Sequence, residues 1–214
     1  MKLTEHSDFR FKCKCCGKCC RSDLDIFLNI RDIWNLRVEL CLPTYRMRGI
    51  YYEVLRRKEY GSYPICILKM NDGNCRFLDG DLCAIHKRRP SGCRMFPVMH
   101  SYDHEGNSSF ELINDFEFCD GHSDEEKVLL CDWLDEIDFS DYEKCIELQT
   151  KMVFLSRANL DESEWERLTN ILYDFDLLED FPYKNEYPEN RETDSIAIDW
   201  LICKAESIIE SLNR

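Results

Sequence analysis

The 214-residue sequence lacks any apolar run that approaches the ~18 residues of a transmembrane helix. Its first eight residues, MKLTEHSD, do not form the apolar segment that is typical of an export signal. We therefore expect a cytoplasmic protein without membrane contact. Glycine and proline are scarce, with 8 and 6 residues, and this favours an ordered, helix-rich globular chain. The sequence has no G-x-G-x-x-G nucleotide motif, no H-E-x-x-H zinc motif and no Ser-His-Asp constellation.

Basic residues are outnumbered by acidic ones, and the formal net charge of −14 is unevenly distributed. Residues 1–122 carry 19 Lys and Arg against 17 Asp and Glu, whereas residues 123–214 carry 9 against 25. An acidic chain lacks the basic footprint that nucleic acid requires, so we expect no nucleic-acid partner. The asymmetry predicts two domains, a cysteine-cluster metal-binding domain at 1–122 and an acidic helical domain at 123–214. The excess of acidic residues in 123–214 is explained more simply by a solvated acidic surface that only aids solubility.

Cysteine is abundant, with 14 residues, and five of these fall within eight positions. Four of the five follow the spacing C-x-x-C-x-x-C-C, namely Cys13, Cys16, Cys19 and Cys20, and Cys15 is an extra thiol inside the pattern. Cytosolic thiols stay reduced, so metal ligation is favoured over disulfides, although a secreted disulfide protein is the alternative. Crowded thiolates repel one another unless a cation or an iron–sulfur core neutralises them, so this stretch predicts a metal or cluster site.

Four further cysteines stand in turns or loops, where they can offer thiolates to a shared centre. They are Cys75, Cys83, Cys93 and Cys119. With the first four they make eight ligands, enough for two four-coordinate ions or two [4Fe–4S] clusters, although Cys15 or Cys66 could replace any of them. The remaining cysteines stand singly on predicted helices and are expected to be buried hydrophobes: Cys41, Cys131, Cys145 and Cys203.

The spacing distinguishes between zinc and iron–sulfur. Structural zinc sites usually show paired C-x-x-C knuckles, whereas serial C-x-x-C-x-x-C is the pattern with which ferredoxin-type loops wrap a cubane. The sequence therefore favours an iron–sulfur centre, with zinc as the alternative. Adjacent Cys19 and Cys20 are expected to point in different directions and to serve two neighbouring centres.

Charged and imidazole side chains near the cysteines are candidates for supporting roles. His86, three residues after Cys83, is the strongest imidazole candidate for a ligand, although a loop histidine is more often solvated. Arg94 beside Cys93 is a candidate hydrogen-bond donor to the sulfur of a metal-bound thiolate. Arg89 could compensate cluster charge or bind a cofactor. A pair with Asp79 or Asp81 that shapes the loop explains these arginines equally well.

The chain pattern predicts an α+β fold: a small cysteine-clustered domain with short β-hairpins and helices, followed by an all-α C-terminal region. Asp-Gly turns between short apolar runs predict a β-meander over residues 65–86, and residues 104–107 predict another hairpin turn. Helical periodicity predicts helices at 31–40 and 45–58 and four more after residue 123. These four begin near Ser123, Ser140, Asp161 and Glu192.

The order of motifs over residues 9–122 resembles a family, the CxxCxxCC cysteine-cluster family of zinc- or iron-chelating domains. The matching elements are the 13–20 cluster, Cys75-x-Phe77-Leu78, Cys83-Ala84-Ile85 and Arg89-Pro90-x-x-Cys93-Arg94-x-Phe96-Pro97. The family includes YkgJ-type proteins and flagellin lysine N-methylases. His86 departs from it where Tyr is common, as do the extra Cys15 and Cys66.

The resemblance implies metal binding, with [4Fe–4S] as the cofactor of the methylase branch and methyl transfer from S-adenosylmethionine to protein lysines as an activity. Three functions follow. The first is a redox or cluster-dependent protein holding one or two [4Fe–4S] clusters, with a protein redox partner. The second is a lysine N-methyltransferase with a protein substrate. The third is a zinc-stapled structural or interaction domain.

Overall fold

A computed structural model describes residues 1–22, 24–56, 63–103, 105–113, 119–123, 125–155 and 160–212. In chain order the strands are β1 Lys2–Leu3, β2 Asp8–Arg10, β3 Phe27–Leu28, β4 Tyr52–Arg56, β5 Pro64–Leu68, β6 Met70–Asn71, β7 Asn74–Cys75, β8 Leu78–Asp79, β9 Leu82–Cys83, β10 Val98–Tyr102, β11 Ser108–Leu112 and β12 Lys127–Leu129. The helices are α1 Ile30–Leu40, α2 Thr44–Met47, α3 Ser91–Met95, α4 Leu130–Glu136, α5 Ser140–Leu155, α6 Glu162–Tyr173 and α7 Arg191–Leu212. This mixture of short antiparallel sheets and C-terminal helices confirms the α+β prediction.

The chain divides into two compact units, each built from two segments. The first unit comprises Met1–Leu24 and Met70–Glu143, and the second comprises Asp25–Lys69 and Lys144–Arg214. The two domains predicted from charge, 1–122 and 123–214, are each one continuous stretch of chain. They were defined by composition and motif content, so they stay a prediction. None of the described helices combines the length and the apolar character that a membrane crossing requires.

The first unit is a set of small antiparallel sheets. β1 and β10 flank β11, and β2 pairs with β12. The hairpins β6–β7 and β8–β9 occur where the Asp-Gly turns predict a meander, and β10–β11 surrounds the predicted turn at 104–107, of which His104 lies outside the described residues. In the first hairpin Asp72 and Gly73 have φ values of 51° and 76°, the two positive angles that a type I′ turn requires.

The second unit packs helices against the sheet β3–β5–β4. Helix α1 begins with a capping box between Asn29 and Asp32, which confirms the helix predicted at 31–40. Trp34 is fully buried, and its indole N–H donates to Asp194 Oδ1 at 2.7 Å. Arg37 is fully buried as well and pairs with Asp176 at 2.8 Å.

Two helix predictions were wrong. The helix expected over 45–58 is only the four-residue α2, followed by β4, and residues 57–58 lie outside the described residues. Pairing of β4 with β5 buries Tyr52 completely, a tertiary gain that overrides local helical periodicity. The helix expected from Ser123 begins only at Leu130, because β12 first pairs Val128 with Phe9 of β2.

Candidate metal centre

The loop that carries the first cysteines is anchored at its start by aromatic packing. Phe11 is buried, and its ring centroid lies 5.5 Å from that of Phe96 and 5.6 Å from that of Trp133. The backbone N–H of Lys12 donates to the carbonyl of Gly121 at 3.0 Å. These contacts fix residues 11–12, so that the cysteines after them begin from a defined position beside the segment that carries Cys119.

Gly17 lets the loop approach the β8–β9 hairpin closely. Its φ is +66°, and a Cβ there would lie 2.6 Å from Arg21 Nη1 and 2.9 Å from the carbonyl oxygen of Asp81. Arg21 Nη2 in turn donates to the carbonyl of Gly80 and to Asp81 Oδ1, both at 2.7 Å. The short 3-10 helix Cys19–Arg21 is thereby held beside the hairpin that carries Cys83.

Three thiols interact directly at this place. The sulfurs of Cys19 and Cys20 lie 4.0 Å apart, and Cys20 is also hydrogen-bonded to Cys75. The hydrogen bond from Cys20 lowers the pKa of Cys19 to about 6 and that of Cys75 to about 7. The same two hydrogen bonds raise the pKa of Cys20 itself. These shifts favour the thiolate at Cys19 and, to a smaller extent, at Cys75. Adjacent Cys19 and Cys20 were expected to point in different directions, but their sulfurs are in contact.

We define a four-thiol group as Cys19, Cys20, Cys75 and Cys83, in which Cys83 is included because it interacts electrostatically with Cys75 and Cys19. Burial raises the pKa of Cys83. The four residues come from three chain segments: the 3-10 helix, β7 and β9. Thiolates are soft ligands for zinc and iron, so the donor set fits either metal.

A second group contains an imidazole. The sulfurs of Cys13 and Cys15 and a ring nitrogen of His86 all lie within 4.8 Å of one another, and all three residues are exposed. His86 belongs to the 3-10 helix His86–Arg88 that follows β9. Cys15 has a left-handed backbone, with φ of 50°. Burial and the charges of Arg89 and Arg94 lower the pKa of His86, which favours the neutral imidazole that binds metals.

The two predicted arginines take different positions. Arg89 Nη1 lies 3.1 Å from His86 Nδ1. Burial raises the pKa values of Cys13 and Cys83, the Arg89 charge opposes that rise, and the same charge favours the thiolate of Cys19. Arg94 donates to the carbonyl of Lys87, and its guanidinium carbon lies 5.7 Å from the ring centre of Tyr142. Arg89 thus acts on the thiols electrostatically, whereas Arg94 holds the backbone of the 3-10 helix next to His86.

The other predicted ligands all belong to the first unit. Burial raises the pKa of Cys119, which interacts electrostatically with Cys16, Cys19 and Cys13. Cys93 is half-buried on α3. Lys18 Nζ lies 2.6 Å from Asp120 Oδ1 and joins the loop to the segment of Cys119. The assignment of eight thiolates to two centres stays a prediction.

The other cysteines differ in burial, and His100 packs against an aromatic ring. Cys66 is buried on β5 in the second unit, and burial raises its pKa well above the usual range. Cys145 is buried as expected, whereas Cys41 and Cys203 are exposed, contrary to expectation. His100 stacks on Phe110 with ring centroids 4.7 Å apart.

Sequence reasoning placed Cys15 and His86 outside the eight ligands, yet the structure brings both to Cys13. The signals for this group were present as the spacings Cys13-x-Cys15 and Cys83-x-x-His86. Spacing alone could not rank them, because the segments that carry them meet only through the fold of the first unit.

A compact unit that presents clustered thiols and an imidazole on turns and 3-10 helices is a cysteine-rich metal-binding domain. A family model described as "CxxCxxCC: putative zinc- or iron-chelating domain" matches residues 12–120, and the chain belongs to this family. Searches of curated proteins and of solved structures gave no match.

Proposed function

We propose that the first unit holds a [4Fe–4S] cluster on cysteine thiolates and serves in one-electron transfer with a protein redox partner. The observation that carries this proposal is the four-thiol group. Cys19 and Cys75 have pKa values lowered to about 6 and 7, so at neutral pH the first is mostly thiolate and the second is about half ionised.

The serial spacing of the first loop supports the cluster over a single ion. Two C-x-x-C steps run into one another, as in ferredoxin-type loops, and Cys75 of β7 and Cys83 of β9 are the remote cysteines of the four-thiol group. Arg89 supplies positive charge that favours the thiolates of Cys19 and Cys83. Arg21 Nη1 donates to the carbonyl of Cys16 at 3.4 Å and so holds the backbone of the loop. A bound cluster would supply the electron-transfer chemistry, and these residues would bind it and compensate its charge.

Zinc is the second candidate, and one distance favours it. Two thiolates on one tetrahedral zinc ion lie about 3.8 Å apart, as follows from Zn–S bonds of about 2.3 Å. The 4.0 Å between the sulfurs of Cys19 and Cys20 is close to that value. In a cubane each thiolate bonds a different iron, so these two sulfurs would have to separate.

Anaerobic purification followed by absorption spectroscopy and analysis of iron, zinc and acid-labile sulfide tests the proposal. We expect a broad visible band with iron and sulfide in equal amounts. Both the iron and the sulfide content should be lower in Cys19→Ser and Cys75→Ser. Cys66→Ala should keep the full metal content, because Cys66 is buried on a strand of the second unit. A colourless protein that contains stoichiometric zinc and unfolds upon chelation would replace the cluster by zinc.

Lysine methyl transfer is the further activity implied by the resemblance. No contact among the described residues supports a site for S-adenosylmethionine, and the activity stays a prediction. Binding of S-adenosylmethionine to the metal-replete protein, measured by calorimetry, would test it.

A further inference from the structure

The group of Cys13, Cys15 and His86 differs from the four-thiol group in its donor atoms. It contains an imidazole, and two of its members, Cys15 and His86, lie outside the C-x-x-C-x-x-C-C motif. All three side chains are exposed, so an ion can reach them from solvent.

We infer that Cys13, Cys15 and His86 form a second, mononuclear site for a divalent ion of the zinc class. The inference stands on their geometry and does not depend on the proposed iron–sulfur centre. Zinc bonds of about 2.3 Å to sulfur and about 2.1 Å to nitrogen place tetrahedral ligand atoms about 3.5–3.8 Å apart. The three donor atoms already lie within 4.8 Å of one another, so shifts of about 1 Å bring them onto one ion.

The backbone of Cys15 supports a specific role for its thiol. The left-handed region is unfavourable for a residue other than glycine, and Cys15 has φ of 50°. Such strain persists where the surrounding structure imposes it, and it concentrates at binding sites. At Cys15 the strained residue supplies one of the three clustered donors.

Three protein ligands leave a fourth tetrahedral position open. Open sites bind exchangeable ligands, whereas structural zinc sites are closed by four protein ligands. Arg89 Nη1 contacts both ring nitrogens of His86 and lies 3.1 Å from Nδ1. A metal ion on one ring nitrogen leaves the other as a proton donor, so Arg89 must turn away from the ring when the ion binds.

Titration with Co²⁺ of the full chain, purified without oxygen and with its iron retained, tests this site. Bound cobalt reports thiolate ligands through charge-transfer absorption. We expect the unaltered chain to bind one more equivalent than Cys15→Ser and His86→Ala, with the iron and sulfide content unchanged in all three. Cys203→Ser and His6→Ala are matched controls, because both residues are exposed and His6 lies on another turn.

Replacement of the imidazole by a thiolate separates ligation from a structural role. His86→Cys should keep the cobalt equivalent and strengthen its charge-transfer band, because a third thiolate takes the place of the nitrogen. Equal cobalt binding by the unaltered chain, Cys15→Ser and His86→Ala would overturn the inference. A loss in His86→Cys as large as in His86→Ala, with unchanged circular dichroism, would overturn it as well. Failure of the iron–sulfur proposal would appear separately, as a lack of iron and sulfide in the unaltered chain.

Discussion

The sulfur of Cys20 lies 4.0 Å from that of Cys19, so two adjacent residues present their thiols to the same place. The loop turns through Gly17 into the 3-10 helix Cys19–Arg21, and the backbone N–H of Cys20 donates to the carbonyl of Gly17 at 3.1 Å. Cys75 of β7 joins the pair through its own hydrogen bond with Cys20. The single S–H of Cys20 can donate to Cys19 or to Cys75, and these contacts lower the pKa of both neighbours.

Cys20→Ala should make Cys19 and Cys75 less reactive at neutral pH. A thiol with a pKa of about 6 is mostly thiolate at pH 7, whereas one near the ordinary value of about 8.5 is only a few per cent ionised. Without Cys20 we expect the pH midpoint of Cys19 alkylation to rise and its rate at pH 7 to fall, although by much less than the roughly thirtyfold drop in thiolate, because a less acidic thiolate is the stronger nucleophile. Mass spectrometry of the metal-free, reduced protein across pH measures this rate, and Cys131→Ala is the control. An unchanged pH midpoint for Cys19 would contradict the assignment of the donor.

Gly17→Ala should disrupt the ligand loop. The left-handed backbone alone costs about 1–2 kcal/mol, and the added Cβ would lie 2.9 Å from the carbonyl oxygen of Asp81, so the loop must also move. We expect lower thermal stability and a metal content below that of the unaltered chain. Gly106→Ala is the matched control, because Gly106 has φ of +84° with no atom within 4 Å of its added Cβ. Equal metal losses in both variants would show that backbone strain alone accounts for the effect.

Arg89→Gln should raise the pKa values of Cys13, Cys19 and Cys83, because a nearby cation favours each thiolate. Their alkylation midpoints in the metal-free protein should shift to higher pH. Arg46→Gln removes the same charge from an exposed position in the second unit and should leave the midpoints in place. A midpoint shift of equal size in both variants would mean that the overall charge, rather than Arg89, sets the thiol pKa values.

Arg37→Met should destabilise the second unit. Arg37 and Asp176 are 0% and 2% exposed, and removal of one partner leaves a buried charge without compensation, at a cost of about 3–5 kcal/mol. Arg37 also donates to the carbonyls of Tyr183 and Glu186, which lose their donors. Urea unfolding measures the difference, and Lys151→Met, which breaks the exposed pair with Glu147, should cost less than about 0.5 kcal/mol. Similar losses in the free energy of unfolding for the two variants would contradict the larger contribution that we assign to the buried Arg37–Asp176 pair.

Local chemistry made much of the fold readable from the sequence. The turns at Asp72-Gly73 and Gly80-Asp81, the capping boxes at Asn29 and Asp161, and the start of α5 at Ser140 all lie where residue preferences predict them. Where the helix predictions were wrong, at 52–56 and 127–129, strand pairing with residues distant in the chain decides the structure. Such pairing is invisible to local periodicity, because its free energy comes from partners elsewhere in the chain.

The sequence by itself determined the α+β class, the cysteine-rich metal-binding character and the family, because these depend on residue types and short spacings. Only the tertiary structure decided which donors meet. It joined Cys19 and Cys20 to Cys75, brought His86 to Cys13 and Cys15, and buried Cys66 in the second unit. The physical reason is that ligand groups are selected by distances of a few ångströms between loops, and those distances are set by the packing of Phe11, the backbone of Gly17 and the contacts of Arg21.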